Sequence, residues 1–311
     1  LSFLAAGLIA LLTGHSFAQL GIRYPSQGGT VEYLVQAYGP GWFSGACSIL
    51  FYIACLIGMA MIALSFGKFA VRLVDLGDDL LLWEQALASA LIVGLTLLRL
   101  IGSRSANIAG RIIVVANLLL VACFAVALSP HVQGERLAVE TWPGAVPILG
   151  SLALTFFAFT GFEVISNTAE RMENPARDLP RAMYATIGIV IILYVGLAIA
   201  VVGVVSEEQL LSSGPTLLPV AAQSIFGEIG FTVLLLSAVI SSVTCINGGL
   251  FGITSTTYTL AERGQLPPRF KREIGASTRG MTISAVLAIL LLNLFSLETV
   301  ASLGAATSLL V

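Results

Sequence analysis

Glu163 is the residue whose type and surroundings point most directly to chemistry. It ends the run Phe156-Phe157-Ala158-Phe159-Thr160-Gly161-Phe162-Glu163 inside an otherwise apolar stretch. Arg171 marks the polar end of that stretch, and at about 1.5 Å per helical residue Glu163 lies about 12 Å deeper. A carboxylate at such depth in a lipid-embedded helix is costly, and ionisable residues there are functional candidates by default. The plainer alternative is a structural carboxyl, protonated or hydrogen-bonded to a neighbouring helix. Gly161 is small and flexible, and beside a buried acid it fits an unwound break. Such breaks expose backbone carbonyls and amides that bind a polar solute at mid-membrane, although glycine is also common in ordinary membrane helices.

Other reactive residues form no catalytic constellation. Cys47, Cys55, Cys123 and Cys245 all lie in apolar runs, with no C-x-x-C pair and no neighbouring histidine. They are expected to be packing residues rather than disulfides or metal ligands. His15 and His131 are far apart in sequence. His15 suits a hydrogen-bonded bundle position better than a proton relay, and His131 falls in a polar loop. Neither H-E-x-x-H nor G-x-S-x-G occurs, so an enzyme is not expected. No cofactor, no metal and no nucleic-acid partner is expected. A channel filter motif is also absent from the sequence.

Composition identifies the solvent that the positioning elements face. Of 311 residues, 57% are hydrophobic and only 10% charged, with mean hydropathy +0.96. A soluble domain carries about 25% charge, so lipid must cover most of this surface. Spanning segments satisfy their own backbone, as helices or closed barrels. The apolar runs lack the period-two alternation of barrel strands, so an all-α polytopic bundle is expected, with the bilayer itself as a partner.

Nine helices are predicted, counted from two to ten: about 3–20, 31–66 (with a Gly39-Pro40-Gly41 break near its start), 81–101, 108–128, 146–172, 183–205, 220–260 with its lead-in, 281–294, and a last one beginning near Val300. The count starts at two because of charge. Arg23, Arg99, Arg104, Arg111, Arg171, Arg177, Arg181, Arg263, Arg269, Lys271, Arg272 and Arg279 fall on one set of alternating loops. Only Lys68, Arg72 and Arg136 fall on the other. Basic residues concentrate in short cytoplasmic loops, which places residue 1 outside and the loops near Arg23, Arg104, Arg177 and Arg269 inside. The acidic residues Asp75, Asp78, Asp79, Glu207 and Glu208 fall outside. A helix before residue 1 is then expected, and the chain is expected to be an internal piece of a longer protein in a plasma or inner membrane.

Three motifs carry a resemblance. Phe156–Arg181, with Glu170-Arg171-Met172-Glu173-Asn174-Pro175-Ala176-Arg177-Asp178-Leu179-Pro180-Arg181, resembles the sixth helix and following loop of amino-acid permeases in the amino acid–polyamine–organocation superfamily. Ala18–Thr30, containing Arg23-Tyr24-Pro25-Ser26-Gln27-Gly28-Gly29, resembles that family's turn between helices two and three. Tyr258–Pro267 resembles the close of its helix eight, with Glu262-Arg263 in place of the usual acidic pair or Arg-Asp.

The resemblance implies a LeuT-like fold of two inverted five-helix repeats, incomplete here: residues 1–128 as the remainder of the first repeat and 146–311 as most of the second. It implies substrate amine binding by carbonyls near Phe157, Ala158, Phe159 and Thr160 beside Gly161, with Phe157 closing over the substrate. Glu163 would serve gating or proton coupling. Met59 would touch the substrate side chain, favouring an apolar or mixed one, or simply pack. Asn117 stands where some proton-coupled members have a lysine, and Ser241, Ser242, Thr244 and Thr254 match the helix that binds sodium in other relatives, or pack helices together. The function implied is secondary active transport of an amino acid or related amine such as a polyamine, by alternating access and coupled to protons. The alternative is a transport-inactive sensor or scaffold that keeps the fold. A homodimer is compatible with either.

Overall fold

The computed structural model describes residues 1–74, 80–102, 106–138, 142, 144–275 and 277–310. Asp75, Asp78, Asp79 and Arg104 lie outside the described residues. Eleven α-helices follow in order among the described residues: α1 Ser2–Arg23, α2 Thr30–Tyr38, α3 Trp42–Val74, α4 Leu80–Ile101, α5 Ala106–Leu128, α6 Ala145–Phe157, α7 Pro175–Val204, α8 Glu207–Ser212, α9 Leu217–Glu262, α10 Arg279–Leu294 and α11 Leu297–Leu310. Among the described residues seven helical segments are long and apolar enough to cross a bilayer. The protein is a polytopic helical membrane bundle, and its outer faces confirm the solvent. Leu12 is 72% and Ile192 74% exposed, which only hydrocarbon would tolerate in such numbers.

The expected helices two to ten correspond to α1, α2 with α3 across the Gly39 break, α4, α5, α6 with the segment after it, α7, α9, α10 and α11. Two ends differ. α3 runs on to Val74 rather than stopping near Phe66, carrying Lys68 and Arg72 within it. Long basic side chains lay their stems along apolar surface and keep the charge at the rim, and a cation in the last turn suits the helix dipole. α7 starts at Pro175 because Asn174-Pro175 is a helix start, proline losing nothing at N1. α8 lies in the expected 206–219 loop, closed by a Ser206–Gln209 capping box. A two-residue hairpin, β1 Glu273–Ile274 with β2 Ser277–Thr278, precedes α10.

Packing among the described residues forms three cores: one ties α5, the far half of α7 and α9 through Phe124, Leu128, Val201 and Ala222, and the other two flank the broken helix. The first of these two joins α1, the α6 region and α7 through Ala6, Ala10, Phe159, Phe162, Met183 and Ile187. The second joins α3, α4, α9 and α10 through Leu56, Ile92, Ile246, Leu250, Met281 and Leu292. α11 packs on α3 and α6, between them. Small residues at the crossings let backbones approach, as membrane helices require. Inside the second core the Tyr52 hydroxyl donates to Ser284 Oγ at 2.8 Å, and Ser284 Oγ donates onward to the Gly280 carbonyl. Tyr52→Phe keeps the ring and deletes this link. It should cost roughly 0.6 kcal/mol, measured by SDS-titrated unfolding; a loss above about 2 kcal/mol would mean that Ser284 depends on the tyrosine for more than one bond.

The basic loops meet at one end of the bundle. Arg171 donates to Gln27 at 3.2 Å, and Arg263 pairs with Glu32 at 2.6 Å. Gly275 in the hairpin abuts the carbonyl of Leu100 at the end of α4. At the other end, Arg136 donates to the carbonyls of Val204 and Val205 at the close of α7.

Candidate functional site

Helix α6 ends at Phe157, and the chain does not continue as α-helix. Residues 158–161 form a turn, and Phe162–Arg171 form a 3-10 helix. The hinge is Gly161, at φ 114° and ψ −21°, a region in which side-chain-bearing residues are strained. Ten residues of 3-10 helix is a long run for that geometry, and such stretches mark hinges or strain. At about 2.0 Å per residue the segment also lifts Glu163 to about 16 Å above Arg171, deeper than the α-helical spacing suggests. Thr155 begins the loosening, since its hydroxyl donates to the Ser151 carbonyl and competes with the helix ladder.

The hydrogen bonds of the break can be followed group by group. The Phe156 carbonyl accepts from Phe159 N–H at 2.9 Å. The Phe157 carbonyl accepts from Thr160 N–H at 3.1 Å and from Thr160 Oγ1 at 2.7 Å. The Ala158 carbonyl accepts from the Tyr194 hydroxyl at 3.1 Å. The carbonyls of Phe159 and Thr160 accept no hydrogen bond among the described residues. Beyond the hinge, Gly161 N–H donates to Glu163 Oε2 at 2.7 Å. The carboxylate thus folds back over the first turn of the 3-10 helix, where unpaired amides and the helix dipole favour an anion.

The expected site residues divide between two faces of the break. Ala158, Phe159, Thr160 and Gly161 line a cavity of about 250 Å³ with Phe162, Ile165, Thr186, Ile187, Val190 and Tyr194. Phe157 is not among its walls; its buried ring is wedged against Gly58 of α3 and Gly304 of α11. Glu163 is not among the cavity walls either, its carboxylate being held by Gly161 N–H. Met59 lies in the core of α3, α4, α9 and α10, one residue from the glycine that meets Phe157.

Other polar candidates sit away from the break. Asn117 clasps α5 to α9, its amide donating to Ser241 and accepting from Ser237 at 2.5 Å. The hydroxyls of Ser242, Thr244 and Thr254 donate to backbone carbonyls of their own helix. His15 Nδ1 lies 2.6 Å from the Tyr184 hydroxyl, joining α1 to α7.

The motif Ser26-Gln27-Gly28-Gly29 is explained by close approach. A Cβ on Gly28 would stand 2.6 Å from Thr259 of α9, and one on Gly29 would stand 2.0 Å from Asn167 Oδ1 of the 3-10 segment. Gly29 also has φ 47°. The turn therefore wedges between the two cores that flank the broken helix, at the end of the bundle that holds the basic loops. Sequence reasoning missed two members of this machinery, Glu32 and Tyr194. Glu32 carried a readable signal, a carboxylate three residues after the glycine turn; Tyr194 carried none.

A family model described as amino acid permease matches residues 1–311. The chain belongs to the amino acid permease family. An uncharacterized protein of Methanocaldococcus jannaschii is 30% identical over all of this chain and 72% of its own length. The inner membrane transport protein YbaT of Escherichia coli is 27% identical over 99% of the chain and 72% of its length. The serine/threonine exchanger SteT of Bacillus subtilis is 26% identical over 86% of the chain and 60% of its length. This permease is a membrane transport protein and not an enzyme, and amino acids are the substrate class of its family.

Proposed function

We propose that the full-length permease is a secondary active transporter that moves an amino acid or related amine by alternating access. The observation that carries this is the break itself: a membrane helix opened at Gly161, with the Phe159 and Thr160 carbonyls unpaired among the described residues and a carboxylate two residues on. Unpaired carbonyls at such depth suit an ammonium group, which needs acceptors when it leaves water. The walls of the adjoining cavity carry no charged side chain, which fits a neutral zwitterion. The exchanger relative named for serine and threonine fits the same class.

The two packing groups that flank the break supply the moving parts. The group of α1, α6 and the first half of α7 rocks against that of α3, α4, α9 and α10, pivoting on the core that ties the far half of α7 to α5 and α9, and the Gln27–Gly29 turn releases Asn167 as the basic end opens. That end faces the cytoplasm by its excess of Lys and Arg. Residues 1–128 and 146–311 belong to two inverted repeats. Supporting this, α2, a break at Gly39 and α3 parallel the start of α9, its break at Gly227 (φ 61°) and the rest of α9.

Proton coupling runs through Glu163, whose protonation loosens its bond to Gly161 N–H and with it the hinge. The test is uptake of radiolabelled serine, with other amino acids and polyamines as alternatives, by full-length protein in liposomes under an imposed proton gradient. Uptake is expected to rise with external acidity. Glu163→Gln keeps size and an acceptor but removes titration, and should flatten that pH response. Folded protein that moves no amino acid or polyamine refutes transport; binding without flux supports the sensor reading; an unaltered pH response in Glu163→Gln removes the proton role.

A further inference from the structure

Tyr194 of α7 makes three contacts that converge on the break. Its hydroxyl donates to the Ala158 carbonyl at 3.1 Å. Its ring meets Phe159 edge to face at 5.1 Å and Phe3 of α1 at 5.4 Å. Thr186, Val190 and Tyr194 succeed one another four residues apart, so one stripe of α7 forms a wall of the cavity. One side chain therefore holds two consecutive residues of the turn, one by its carbonyl and one by its ring. Hydrogen bonding within the turn already occupies the Phe156 and Phe157 carbonyls, and Tyr194 occupies the next. Only the carbonyls of Phe159 and Thr160 are left without a partner among the described residues.

We infer that Tyr194 is a positioning residue of the substrate site: by holding the Ala158 carbonyl and the Phe159 ring, it fixes the direction of the two unpaired carbonyls that receive the substrate amine. This rests on the transport reading above. A loose four-residue turn would have to be ordered when substrate binds, and a turn ordered in advance spares that entropy. The tyrosine acts through the backbone and not by touching the amine, so removing its hydroxyl should weaken binding more than it slows translocation.

The test compares Tyr194→Phe with Tyr184→Phe in the full-length protein. Both variants delete one hydroxyl from α7, but Tyr184 bonds His15 on a different face. In Tyr194→Phe, hydrogen–deuterium exchange of the peptide covering 157–163 should quicken at least several-fold, while exchange in α3 stays at the wild-type rate. The KM for radiolabelled serine, or for whichever amino acid the wild type carries, should rise roughly three- to tenfold, the size of one hydrogen bond, with Vmax within about twofold. Tyr184→Phe should change neither. Unchanged exchange at 157–163 overturns the inference whatever the uptake shows. Faster exchange with an unchanged KM also overturns it, since the tyrosine would then brace the turn without serving binding. Wild-type protein that carries nothing overturns the transport reading instead, an outcome distinct from both.

Discussion

Arg263→Ala should lose about 2–4 kcal/mol of folding stability, the largest effect expected of any single surface-loop charge here. The pair it breaks is bidentate: Arg263 Nε donates to Glu32 Oε2 at 3.1 Å, and Nη2 donates to Oε1 at 2.8 Å and Oε2 at 2.6 Å. The two side chains are unequally exposed, Arg263 at 41% and Glu32 at 9%. A buried pair broken from one side costs about 3–5 kcal/mol because the remaining charge is stranded; the half-exposed arginine lowers that range. What remains for Glu32 is the Gln36 amide at 2.8 Å, a single neutral donor. Arg263→Lys should cost less, since it keeps the charge but loses the fork. The decisive comparison is the double variant. If the cost is a stranded carboxylate, Glu32→Gln added to Arg263→Ala should recover more than half of it in SDS-titrated unfolding. Additive losses would refute that explanation, and an Arg263→Ala loss under about 0.5 kcal/mol would class the pair with ordinary surface ion pairs.

The same pair shows what the sequence could and could not disclose. Its partners are 231 residues apart, and nothing local in Glu32 or Arg263 names the other. Hydrophobic run length located α4 and α10 almost to the residue, because an apolar span in lipid has one stable form and sharp polar ends. Run length failed at the end of α3, where Lys68 and Arg72 read as loop although basic side chains can reach the rim from within a helix. The break at Gly161 was legible because a glycine and an acid in an apolar run are both locally anomalous. Tyr194 was not, since a tyrosine among Ile, Leu and Val is an ordinary membrane residue until its hydroxyl is seen to meet Ala158. The division of the site residues between two faces of the break was equally hidden, because it depends on how the end of α6 seats Phe157 against α3 and α11 while the non-helical turn sets Ala158–Gly161 along the cavity. Similarity of the whole chain to the permease family then fixes the class of function, while the residue roles are proposals that rest on geometry.

Gly161→Ala should lower uptake roughly 5- to 150-fold, the factor that corresponds to 1–3 kcal/mol. The reason is conformational rather than steric. A Cβ at Gly161 would meet nothing within 4 Å, so the alanine has room. What it lacks is a comfortable backbone: φ 114° lies where L side chains collide with their own carbonyl, at about 1–3 kcal/mol. The chain can relieve that strain only by turning residue 161 back toward helical angles. That would draw the Phe159 and Thr160 carbonyls into hydrogen bonds with the following amides, and it would move Gly161 N–H away from Glu163. The two carbonyls proposed to receive the substrate amine and the carboxylate's anchor would be lost together. Gly94→Ala in α4 is the matched control: it too has nothing within 4 Å, but its backbone is ordinary helix. There alanine should stabilise by roughly 0.5–1 kcal/mol and leave uptake intact. Equal uptake in both variants would show that the left-handed hinge is dispensable. Loss in Gly161→Ala accompanied by slower exchange across 157–163 would show the break closing into helix, which is the failure this geometry predicts.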